Sequence, residues 1–151
     1  MERVWQFFTT VLGVIFRHPI TGMSVISHLP DGSIVLVRRR DNGKWAIPGG
    51  IVNWGETLET SAERELEEET GLQMRKVNRL VGIYSDPRRD SRIHSICVVV
   101  SVQAEGTIAV RDKSEIIEAR AFPVEELPLG GMSHDHDQQL QDYFDGLTVF
   151  A

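Results

Sequence analysis

The spacing of apolar and polar positions divides the chain into short strands and a few helices. Ile20 to Ser27 mixes apolar and small residues and predicts a strand. Pro30-Asp31-Gly32 is a turn signal, and Ile34 to Val37 is a β-branched run, so the two segments predict a hairpin. Arg38 to Gly43 is polar and predicts a loop. Trp45-Ala46-Ile47 then leads into Pro48-Gly49-Gly50, which is expected to break any regular element before a short strand at Ile51 to Trp54. From Thr57 to Thr70, Leu58, Ala62 and Leu66 recur at helical spacing among many glutamates, with no internal Gly or Pro. This predicts a helix with Thr57 as N-cap and Gly71 beyond its C-terminus. Val77 to Tyr84 and Ile93 to Val102 predict strands. The continuous run Cys97-Val98-Val99-Val100 points to burial on both faces. Glu115 to Phe122 predicts another strand, Pro123 to Leu127 a short turn or helix, and His134 to Phe144 a last helix. Strands interleaved with helices in this order predict an α/β domain with a mixed sheet.

The first residues follow another pattern. Val4 to Phe16 is apolar except for Gln6, Thr9, Thr10 and Gly13. It falls short of the roughly 20 residues a membrane span needs, and no small-x-small cleavage site follows it. The segment predicts an amphipathic or buried helix ending near Pro19. The expected organisation is a helical extension over residues 1–18 and one domain over 19–151. Such an apolar helix is expected either to pack on its own domain or to form a homodimer.

Charge narrows the partners. The chain carries a formal −6, which argues against nucleic acid as a partner. An acidic protein can still act on an acidic substrate when metal ions bridge the two. Cys97 is the only cysteine and sits in an apolar run, so it is expected to be a buried hydrophobe. One cysteine permits no disulfide within the chain, which suits a reducing cytoplasm.

The chemistry concentrates between Gly50 and Leu72. After Gly50 come five residues, Glu56, seven residues, Arg64-Glu65-Leu66, one residue, Glu68-Glu69, one residue and Gly71-Leu72. At about 100° per residue, Glu65, Glu68 and Glu69 share one helical face within a sector of roughly 100°. Carboxylates so placed repel one another unless a hard cation such as Mg²⁺ gathers them. A solvated acidic face is the alternative for these glutamates taken alone. Arg64 is positioned to orient a carboxylate such as Glu56.

With its Trp45–Gly50 lead-in, this spacing resembles the motif of the Nudix hydrolases. The resemblance covers about Ile20 to Phe144 and leaves out the first 18 residues. It implies an α/β/α sandwich and Mg²⁺-dependent hydrolysis (Mn²⁺ being an alternative) of a nucleoside diphosphate linked to another group. It also implies metal ligation by Glu65, Glu68 and Glu69 and by the backbone carbonyl of Gly49. The general base lies on the motif helix or on a later loop, where Glu115 is the preferred match over Glu118. A surface carboxylate is the other reading of Glu115.

On the substrate side, Pro87 stands fifteen residues after Leu72, which is similar to the ADP-ribose pyrophosphatase subgroup. Ser91 departs from the second proline frequent there. Arg88, Arg89 and His94 are candidate substrate contacts around that loop, against the alternative of a solvated turn. Trp45 and Trp54 suit either stacking on a purine or packing. His134-Asp135-His136-Asp137 suits capping and surface roles, or closure over the base or terminal ribose. The resemblance thus implies hydrolysis of ADP-ribose to AMP and ribose 5-phosphate. Another nucleotide hydrolase (of a nucleotide sugar, dinucleotide or oxidised nucleotide) and a non-catalytic ligand sensor are the alternatives. A sensor usually lacks the glutamates or adds a DNA-binding domain. An NADH-cleaving enzyme usually carries zinc-binding cysteines.

Overall fold

The computed structural model describes residues 2–151. A mixed eight-stranded sheet carries helices on both faces, the expected α/β/α sandwich. Strand β1 (Ile20–His28) turns through Pro30-Asp31-Gly32 into β2 (Ile34–Arg39), and the two pair antiparallel. The short β3 (Trp45–Ala46) and β4 (Gly49–Ile51) follow. Then come α2 (Leu58–Thr70), β5 (Gln73–Tyr84), β6 (Ser95–Glu105), β7 (Ile116–Phe122), α3 (His136–Phe144) and β8 (Val149–Phe150). The order β3-β2-β1-β6-β5-β8 places β6 centrally, parallel to β1 and antiparallel to β5. That position explains the continuous valines of β6: both of its faces are covered.

Alternate residues of the strands feed two cores. Ile26, Leu36, Val99 and Tyr84 face Leu140 of α3, while Val25, Val35, Val98 and Val102 face Ala62 and Leu66 of α2. The motif helix is therefore pinned by its apolar stripe, and its glutamates are aimed by what remains of the same face. Thr57 caps it by accepting the Thr60 N–H at 3.1 Å. Gly71 ends it at φ 75°, where a Cβ would stand 2.5 Å from the Ala109 carbonyl oxygen.

Several boundaries differ from the pattern-based expectation. Pro48-Gly49-Gly50 does not simply break the chain, because Gly49 and Gly50 are themselves strand residues, paired with Ser24 and Met23. A Cβ on Gly49 would lie 2.0 Å from the Met23 carbonyl oxygen, so only glycine allows this approach. Arg38 and Arg39 continue β2 instead of opening a loop. β5 begins at Gln73, with register shifts that disrupt its alternation. α3 begins at His136 because His134 has φ 51°.

The N-terminal segment forms the helix α1 (Glu2–Phe16), as the pattern predicts. Val4, Trp5, Phe7, Phe8, Leu12 and Val14 are exposed on it, so burial on its own domain does not account for them. Among the described residues no helix is long and apolar enough to cross a membrane.

Candidate active site

The motif helix places its glutamates against the glycine strand β4. The Gly49 N–H donates to Glu69 Oε2 at 2.9 Å. At Gly50 a side chain would displace the Glu65 carboxylate, since a Cβ would fall 2.4 Å from Glu65 Oε1. Arg64 ties the region together. Its guanidinium meets both oxygens of Glu56 at 2.6 and 2.9 Å, Glu65 at 2.7 Å, Glu68 at 3.2 Å and the Ile51 carbonyl at 3.1 Å. Paired this way, Glu56 is held at a pKa of about 2.

Glu65 and Glu69 are driven the other way. Burial lifts the Glu69 carboxyl to about 8, with Glu65 and Glu115 adding repulsion and the Gly49 N–H partly offsetting it. Burial also raises Glu65, against the pull of Arg64 and with further push from Glu68 and Glu115. Among the described residues, no three carboxylate, imidazole or thiol groups already stand together as an ion-binding cluster. Arg64 engages Glu65 and Glu68, and Glu69 is turned onto Gly49. The donor chemistry nevertheless fits a hard divalent cation: oxygen donors only, gathered beyond what one arginine neutralises.

Glu65, Glu68, Arg64, Gly49 and Gly50 line a cleft of about 380 Å³, together with Asp112 and Glu115 from the loop before β7. The rest of the lining is rich in guanidinium groups. Arg39 pairs with Asp41 at 3.0 and 2.7 Å. Arg92 meets Asp90 at 3.1 and 2.9 Å and Asp41 at 2.9 Å. Arg89, largely buried, grips Asp135 at 2.5 and 3.1 Å and donates to the Tyr84 carbonyl at 3.0 Å. His136 is buried beside them, its Nδ1 accepting the Ile47 N–H at 2.9 Å. Its burial depresses the imidazole pKa to about 3.

A family model of the NUDIX domain matches residues 18–143. The chain belongs to the Nudix family. Among relatives, it is 36% identical to the ADP-ribose pyrophosphatase of Methanocaldococcus jannaschii over 85% of this chain and 75% of that one. It is 31% identical to a putative 8-oxo-dGTP diphosphatase of Bacillus subtilis over 75% and 72%. In fold it is similar to the NUDIX domain of Shewanella oneidensis NrtR in complex with ADP ribose. There the TM-score is 0.77 and the identity 20%, over 89% of this chain and 92% of that one. The protein is thus a Nudix pyrophosphatase acting on a diphosphate bond.

Of the residues singled out from the Nudix motif and its surroundings, Gly49, Arg64, Glu65, Glu68, Glu115 and Arg89 line the cleft. Glu69 stands just behind it, buried against Gly49. Three substrate candidates lie outside the lining. Arg88 is 90% exposed and closes on Asp86. His94 Nε2 contacts the Ser85 carbonyl. Trp45 packs edge-on against Phe122, with Arg120 over its ring. Trp54 is fully exposed. Cys97 is buried, as expected, with Ser24 Oγ 3.3 Å from its sulfur. Sequence reasoning missed Arg39 and Arg92. Their only local signal is an aspartate two residues away in each case, a pairing common on any surface.

Proposed function

We propose that this Nudix hydrolase cleaves ADP-ribose to AMP and ribose 5-phosphate with Mg²⁺, Mn²⁺ being able to replace it. One observation carries the reading: excess carboxylates and a set of guanidinium groups line one cleft of nucleotide size. The pyrophosphatase relative and the ADP ribose held by the NrtR domain support the substrate. Glu65, Glu68, Glu69, Glu115 and the Gly49 carbonyl would hold the cation. When bound, it supplies charge neutralisation of the diphosphate and acidifies water.

The chain's own groups do the rest. Arg64 positions Glu65 and Glu68 and ties down the loop through Glu56. Glu115 accepts the proton of the attacking water. The water oxygen joins one phosphorus while the bridging P–O bond breaks, and the leaving phosphate takes the electron pair. Arg92 and Arg89, each already oriented by an aspartate, offer their remaining N–H groups to phosphate and ribose oxygens. The exposed apolar side of α1 supports a homodimer formed through that helix.

A substrate panel with Mg²⁺ or Mn²⁺, read by product mass, tests the reading. ADP-ribose is expected to show a higher kcat/KM than 8-oxo-dGTP, ATP, NADH or UDP-glucose, and EDTA to abolish turnover. A nucleoside triphosphate with the higher kcat/KM would overturn the substrate and leave the enzyme class standing.

A further inference from the structure

The stretch His134-Asp135-His136-Asp137 builds the cleft wall as well as starting α3. Asp135 holds Arg89. Asp137 accepts the N–H groups of Gly130 at 2.7 Å and Met132 at 3.1 Å, fixing the preceding turn. His136 is the member whose role these contacts leave unfinished. Its Nδ1 accepts the Ile47 N–H and so carries no proton, which puts the proton of the neutral ring on Nε2. No hydrogen-bond partner for that Nε2 exists among the described residues, although the ring lines the cleft. The same short segment that fixes His136 through Ile47 fixes Glu69 through Gly49. Only Pro48 and Gly49 lie between Ile47 and Gly50, where Glu65 packs, so these two backbone positions are at most about 11 Å apart. His136 thus shares the cleft with Glu65 and Glu68.

We propose that His136 is a substrate-binding residue, a neutral imidazole whose Nε2–H donates to an oxygen of a sugar flanking the diphosphate. This rests on the cleft being the substrate site, as in the function proposed above. A cationic side chain there would be drawn to the phosphates. A neutral donor instead favours a hydroxyl or ring oxygen, and so discriminates by geometry.

Asparagine and glutamine separate this role from a structural one. His136→Asn keeps an acceptor near the Nδ1 position for Ile47 but cannot reach with a donor. His136→Gln keeps a donor near the Nε2 position and loses the Ile47 acceptor. Steady-state kinetics on ADP-ribose are expected to show KM raised about tenfold in Asn and in Phe, with kcat less affected, as for one lost hydrogen bond. Gln is expected to recover most of that loss although it melts at a lower temperature than Asn. If Asn recovers KM and Gln does not, His136 only supports Ile47 and the proposal fails. Equal KM values for all four proteins would also overturn it. If the wild type cleaves a different sugar-bearing diphosphate, the substrate assignment fails separately. The same rescue order on that compound then decides His136.

Discussion

Around the motif helix one arginine serves three carboxylates, whereas the other guanidinium groups lining the cleft are matched by as many aspartates. Arg64 reaches Glu56, Glu65 and Glu68, while Glu69 and Glu115 add further negative charge without a guanidinium partner of their own. Arg39, Arg92 and Arg89 are matched by Asp41, Asp90 and Asp135. The first set is left short of positive charge, which suits a site completed by a cation. The second is complete in itself, which suits preorganised recognition with little rearrangement. Chemistry and specificity are thereby assigned to different sets of residues in one cleft.

The largest expected effect breaks the first set. Glu65→Gln or Glu69→Gln should lower kcat by about a hundredfold or more while the fold persists, because each keeps the side-chain shape and removes a carboxylate donor to the proposed cation. Circular dichroism and steady-state rates together check this. Next comes the buried member of the second set. Arg89→Ala strands Asp135 and should cost about 2 kcal/mol, less than a fully buried pair because both partners retain some solvent. Denaturant unfolding measures it. Arg64→Lys is expected to lose about tenfold in kcat, since an ammonium cannot reproduce the two-oxygen grip on Glu56.

A pH experiment sharpens the contrast further. His136 has its folded pKa lowered from 6.5 to about 3, so the stability it contributes is complete above pH 6.5 and lost as pH falls toward 3. Acid unfolding of His136→Asn should therefore show a shallower decline than wild type across that window. Parallel curves would place the acid sensitivity elsewhere. The smallest effect is expected for Arg88→Ala: exposed and paired only with its neighbour Asp86, it should leave KM for ADP-ribose within about threefold.

The two sets also differ in how far the sequence reveals them. The glutamates lie on one helix, where spacing along the chain is spacing in space, so Glu65, Glu68 and Glu69 could be read as one face. The apolar stripe of Ala62 and Leu66 and the caps at Thr57 and Gly71 were legible for the same reason. The second set is assembled by the tertiary fold. Arg89 finds Asp135 across 46 residues, and Ile47 finds His136 across 89. No local periodicity records such pairs, which is why Arg39 and Arg92 passed unnoticed and Arg88 looked equivalent to Arg89. β8 was invisible too. Two residues carry no alternation, and their pairing depends on Gly82, where a Cβ would meet the Val149 carbonyl at 2.8 Å.

The division of labour between the two sets is tested most directly by measuring kcat and KM for ADP-ribose with Mg²⁺ in Glu65→Gln and Arg92→Ala side by side. The account predicts that Glu65→Gln loses kcat by about a hundredfold with KM nearly unchanged. It predicts that Arg92→Ala raises KM about tenfold and largely keeps kcat. The reverse pattern, or the same pattern in both variants, would contradict it.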